Sequence, residues 1–123
     1  MIKKTTRILF QGDSITDCGR DRSDDASLGK GYAQMVAGLL PSLRPDCQLS
    51  FLNRGISGNR TGDLLQRWQT ECLDLKPDIL SILIGINDVW RRYDSNNPTD
   101  LETFRSNYRR LLEQVKAALP ETR

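Results

Sequence analysis

The sequence predicts an α/β protein, a parallel sheet flanked by helices and joined by right-handed crossovers. Apolar runs suited to strands alternate with stretches of helical apolar spacing, in the order βαβαβα. Each strand run then ends on a turn of Gly and small polar residues: Gly12 to Thr16, Gly55 to Thr61 and Gly85 to Asp88. In parallel sheets ligands sit beyond the carboxyl ends of the strands, where the strand order reverses, so these turns are where function is expected.

The first strand is expected over Arg7–Gln11, a short apolar run closed by Gly12. A polar stretch from Thr16 to Lys30 reads as a long loop. Leu28, Tyr32, Met35, Val36, Leu39 and Leu40 recur at helical spacing, predicting a helix near 30–40 that stops at Pro41. Gln48–Asn53 is the second strand. Thr61 is the expected N-cap of the next helix, with Leu64, Leu65, Trp68 and Cys72 as its apolar face and Lys76-Pro77 as its end. The nearly continuous Ile and Leu of Asp78 to Ile84 suit a central parallel strand covered on both faces. Thr99 to Glu102 matches a capping box, opening a helix whose face carries Leu101, Phe104, Tyr108, Leu111, Leu112, Val115 and Leu119. No repeat or linker divides the chain, so residues 1–123 are expected to form a single domain.

Composition narrows the function. The 123 residues are 37% hydrophobic and 28% charged, with a formal net charge of +2. That near-balance gives no reason to expect nucleic acid or an anionic membrane surface as partner. No segment approaches the roughly 18 apolar residues that cross a bilayer, and Ile8-Leu9-Phe10 is too short for a signal-peptide core. Cys18, Cys47 and Cys72 cannot all pair within one chain and match no metal motif, so reduced thiols in a cytoplasmic protein are expected. Cys47 and Cys72 read as buried small hydrophobes. Histidine is absent. That removes the commonest general base and the commonest transition-metal ligand together.

At the three turns the residues are Gly12-Asp13-Ser14-Ile15-Thr16, then Arg54-Gly55-Ile56-Ser57-Gly58-Asn59, then Gly85-Ile86-Asn87-Asp88. Any one of these is a weak signal. Together, each after its own expected strand, they resemble the GDSL or SGNH hydrolase family along the whole chain. The resemblance implies a serine ester hydrolase working through an acyl-enzyme, with no metal or organic cofactor. It makes Ser14 the nucleophile and gives the oxyanion hole to the backbone N–H of Ser14, the backbone N–H of Gly58 and the side-chain amide of Asn87. Chemistry agrees: a Gly at 58 lets backbone approach substrate closely, and Asn supplies an N–H that Asp cannot. Plainer readings stand beside these, with Gly58 serving only a turn and Asn87 only capping the segment after it. Asp13 and Asp88 read as structural, accepting backbone N–H groups in their own turns. Trp90-Arg91-Arg92-Tyr93 can wall the site or simply pack on the surface.

The family's remaining motif, an Asp-x-x-His that activates the serine, has no counterpart here. The fold the resemblance implies is a three-layer α/β/α with a flavodoxin-like parallel sheet of five strands in the order 2-1-3-4-5. Three are expected in this chain, which leaves the third, Asp78 to Ile84, as an exposed apolar edge. We therefore expect a chain truncated after its third βα unit, with an apolar open edge and little activity of its own. In subtilisin, removing the histidine costs about 10⁶ in turnover. The expected substrate is a small-molecule or carbohydrate acyl ester. The alternative is a catalytically dead binding or assembly module that keeps the pocket and self-associates through the open edge. A flavodoxin-like phosphate binder ranks below both, because the Gly12 turn lacks a Gly-rich loop with a Lys.

Overall fold

The computed structural model describes residues 4–123; Met1, Ile2 and Lys3 lie outside the described residues. Three parallel strands, β1 (Thr5–Gly12), β2 (Gln48–Asn53) and β3 (Ile79–Leu83), form one sheet in the order β2-β1-β3. The register pairs Ile8 with Phe51 on one side of β1 and Gly12 with Leu83 on the other. The helices are α1 (Ser14–Asp17), α2 (Tyr32–Leu43), α3 (Thr61–Trp68), α4 (Ile86–Asp94) and α5 (Leu101–Ala118).

The alternation of side chains along β1 splits the core into two layers. Ile8 and Phe10 face α2, where they meet Ala33, Tyr32, Val36 and Leu40. Leu9 faces the other way, into a cluster with Leu64 and Trp68 of α3 and Leu111 and Val115 of α5. The chain steps one way from β1 to β2 and the opposite way from β2 to β3. Crossovers of one hand then require α2 and α3 to lie on opposite faces, and they do. The strand order therefore switches beside β1. The crevice at that point opens between the carboxyl ends of β1 and β3, which lead into Ser14 and Asn87.

Several elements differ from expectation. β3 is not covered on both faces, as its composition alone suits; with β1 central and buried, it is the half-buried edge strand expected of a three-strand sheet, and Leu83 is 44% exposed. Its outer side pairs with the last residue: Arg123 N–H donates to the Asp78 carbonyl, and Leu80 N–H donates to the Arg123 carbonyl. Pro41 lies inside α2 rather than ending it, and the last turn closes when Arg44 N–H donates to the Leu40 carbonyl. A proline so near the C-terminus forfeits a single internal hydrogen bond. The N-cap of α3 is Arg60, not Thr61, and the helix runs on through a π-helical turn, Gln69–Leu73, that keeps Cys72 and Leu73 inside. The N-cap of α5 is Asp100, one residue beyond Thr99, and its carboxylate accepts the N–H and hydroxyl of Thr103. Only part of the α5 stripe is buried; Leu101 and Leu112 remain exposed. Helix α4 was not expected at all. Cys72 is buried as expected, and burial pushes its thiol up to about 12. Cys47 is only half-buried, at the exposed turn before β2.

Candidate active site

Ser14 begins α1 directly after β1, and its side chain is exposed. The turn is set by Asp13, fully buried, whose carboxylate accepts Ile15 N–H at 3.0 Å as an N-cap. Gly12 is required here by close approach. A Cβ at that position would lie 2.3 Å from the Leu83 carbonyl oxygen of the neighbouring strand.

The second turn is bonded to the first. Ile56 N–H donates to the Gly12 carbonyl at 3.1 Å. The Asp17 carboxylate accepts the N–H of Ser57 at 2.9 Å, the Ser57 hydroxyl at 3.1 Å and the Arg22 guanidinium at 2.7 Å. Burial alone would raise the Asp17 carboxyl. The Arg22 and Ser57 donors outweigh it and hold the group below its ordinary value. Asn53, wholly buried at the end of β2, donates to the Thr16 and Leu28 carbonyls and accepts Gly55 N–H. Gly58 has φ +84°, a left-handed conformation open to glycine at little cost. A Cβ there would meet nothing closer than Arg91 at 3.5 Å. Within the protein, then, the glycine is favoured by its backbone conformation rather than by a crowded neighbour.

The third turn is bonded to the second. Asp88, fully buried, accepts Thr61 N–H at 3.1 Å and the Thr61 hydroxyl at 2.7 Å. It thus acts across turns, not within its own as expected. Asn87, at the start of α4, donates from Nδ2 to the Asn59 carbonyl at 3.1 Å. Behind all three turns lies Arg67 of α3, bonded to Asn59, Arg54, Gln11 and Gly12. Burial pulls its guanidinium down to about 10, so it stays charged at neutral pH. Arg54 is buried too, paired with Asp25 at 2.8 Å and Glu71 at 3.1 Å.

The structure thus gathers Ser14, Gly58 and Asn87 on three turns tied to one another at the carboxyl edge of the sheet. Among the described residues, no acceptor takes the N–H of Ser14 or of Gly58. Asn87 keeps one of its two amide hydrogens uncommitted. Among the described residues no group of three or more His, Cys, Asp or Glu side chains could hold a metal ion, and no helix is long and apolar enough to cross a membrane.

The family model for the GDSL-like Lipase/Acylhydrolase family matches residues 10–123. The chain belongs to that family. An acetylxylan esterase of Geobacillus stearothermophilus is 50% identical over 92 residues, covering 72% of this chain and 42% of the esterase. A crystal structure from Parabacteroides merdae, named as a GDSL-like lipase, superposes with a TM-score of 0.95 at 43% identity, covering 100% of this chain and 59% of that one. The crystal structure of the Geobacillus esterase superposes at 0.86 with 41% identity, over 93% of this chain and 56% of its own. Solved forms of that esterase include catalytic mutants at a serine, an aspartate and a histidine. This chain therefore spans about half the length of these GDSL-family relatives.

Asn59 stood in its turn motif without a role, and the bracing residues Asp17, Asn53 and Arg67 escaped the sequence reading. Their partners are remote in the chain, and no local pattern marks them. The alternation of strand and turn was the only available clue, since it places all of them at one edge.

Proposed function

We propose that Ser14 is the nucleophile of an ester hydrolase, with its own N–H, the N–H of Gly58 and the amide of Asn87 as oxyanion donors. The observation that carries this reading is the pairing of an exposed hydroxyl with uncommitted donors at the switch-point crevice. Attack by Ser14 Oγ on the ester carbonyl carbon places negative charge on the carbonyl oxygen, which those donors stabilise. Collapse breaks the bond to the alcohol, which leaves with a proton, and water then hydrolyses the acyl-serine. The chain has no histidine, so it supplies no imidazole to take the serine proton. Asp13, Asp17 and Asp88 are committed to backbone and hydroxyl donors and are poor substitutes.

The expected measurement is p-nitrophenyl acetate turnover. The purified 123-residue chain should turn over about 10⁶ more slowly than a complete enzyme, keeping at most the roughly 10³–10⁴ over water that an oxyanion hole and binding supply. Fusing the portion of the Geobacillus esterase that carries its catalytic aspartate and histidine after Arg123 should restore turnover, and Ser14→Ala should abolish it. Turnover by the fusion that survives Ser14→Ala would refute the assignment.

For substrate we favour an acetyl ester of a carbohydrate. Half-identity to an acetylxylan esterase supports this, as do the exposed rings of Trp90 and Tyr93 on α4, beside the third turn, which offer faces for a sugar. The restored enzyme should release acetate from acetylated xylo-oligosaccharides faster than it hydrolyses long-chain esters. A cytoplasmic setting remains our reading from the three free thiols, testable by cell fractionation.

The second reading is an assembly module. Its support is an open apolar cleft of about 300 Å³ between the β3 edge and α5, lined by Leu80, Ile82, Leu112 and Val115. A sharp dimer on size-exclusion chromatography, with no labelling of Ser14 by a fluorophosphonate in the restored fusion, would favour it.

A further inference from the structure

We propose that Arg67 is a positioning residue for the oxyanion hole, fixing the Asn87 amide through Asn59 and anchoring both to the carboxyl end of β1. The proposal rests on the assignment of Ser14, Gly58 and Asn87 to an esterase site. Arg67 Nε donates to Asn59 Oδ1 at 2.8 Å, and the Asn59 carbonyl in turn accepts Asn87 Nδ2 at 3.1 Å. One terminal nitrogen donates to the Arg54 carbonyl at 2.8 Å and to Gln11 Oε1 at 3.1 Å; the other reaches the Gly12 carbonyl at 3.4 Å. One planar group therefore spans the β1 end, the Gly58 loop and, through Asn59, the Asn87 turn.

The fork is the reason for an arginine. Its donors leave a rigid plane in several directions, whereas a lysine ammonium is a single point on a flexible stem. Asn59 is adjacent to Gly58, so holding its side chain also holds the loop that presents the Gly58 N–H. Helix α3 does not need Arg67 to stay docked. Leu64 and Trp68 are fully buried on the same helix, and Trp68 Nε1 donates to the Leu111 carbonyl at 3.2 Å.

The test uses the 123-residue chain, labelled with nitrogen-15, and the variants Arg67→Lys and Arg67→Met. The Asn87 side-chain amide reports positioning; the Trp68 indole N–H reports the core. Both variants should keep the Trp68 signal. Both should move the Asn87 amide resonances and speed their exchange with solvent about tenfold, the scale of one net hydrogen bond. Guanidinium ion at millimolar concentration should partly restore the Asn87 signals in Arg67→Met. Unchanged Asn87 signals in Arg67→Lys would overturn the proposal. So would loss of the Trp68 signal in both variants, which would make the arginine a purely structural tie. The turnover test fails or succeeds on Ser14 alone, so failure of the esterase reading is told apart from failure of the Arg67 coupling.

Discussion

Asp17 holds the first and second turns together through a charge, so its contribution depends on pH. The carboxyl titrates below its ordinary value of 3.8, because Arg22 and Ser57 favour the ionised form more than burial opposes it. The folded state therefore binds the proton less readily than the unfolded chain. Its stabilisation is complete above the unfolded value and is lost as pH falls through the folded one. Asp17→Asn should lower the urea midpoint at pH 7, and the gap from wild type should narrow toward pH 3. A gap that stays constant across that range would show that the charge contributes nothing. None of this was legible in advance. Asp17 lay inside a stretch read as loop, and its partner Ser57 belongs to another strand's turn. Ser14, Gly58 and Asn87 could be singled out because each sits in a short motif. Of the residues that brace them, Asp17, Asn53 and Arg67 sit in no motif, and only the folded chain brings them close.

Helix α5 shows how far local pattern reaches. Its capping signal and apolar stripe located the helix, yet the cap falls on Asp100, because that carboxylate meets both the N–H and the hydroxyl of Thr103. Asp100→Ala should cost about 1 kcal/mol, the usual value of an N-cap, and lower the thermal midpoint. Thr99→Ala should leave it nearly unchanged; equal effects would return the cap to Thr99. Helix α4 went unseen for a related reason. Its apolar residues Ile86, Val89, Trp90 and Tyr93 do share one face, but that face is exposed rather than packed on the core. Periodicity predicts a helix best when a core is there to receive it. Strand β2 matched expectation from end to end, since Arg54-Gly55 closes it sharply.

At the scale of the molecule, the β3 edge and the outer face of α5 are the surfaces that invite association. Leu101, Phe104, Tyr108 and Leu112 line a groove of about 500 Å³ along α5, continuous through Leu112 with the cleft beside β3. Leu112→Glu, which places a charge where both meet, should reduce self-association of the chain in sedimentation velocity. Leu39→Glu, on the exposed side of α2, should not. Equal effects would mean that general hydrophobicity, rather than this edge, drives association. The strand order was implied by the family resemblance, and β2-β1-β3 agrees with its first three strands. The apolar run of β3 suits a strand covered on both faces, yet with three strands it lies at the edge as expected, because burial depends on how many neighbours a strand has. The pairing of Gly12 with Leu83 has a metrical consequence. Ser14 lies two residues beyond one member of that pair and Asn87 four beyond the other. The backbone ladder is thus a gauge block that sets the span between the proposed nucleophile and the proposed oxyanion donor. A slip of one notch would shift that span by about 3.3 Å and turn every β3 side chain to the wrong face. Tolerance along the strand direction is accordingly machined into the sheet, before any loop contributes to it.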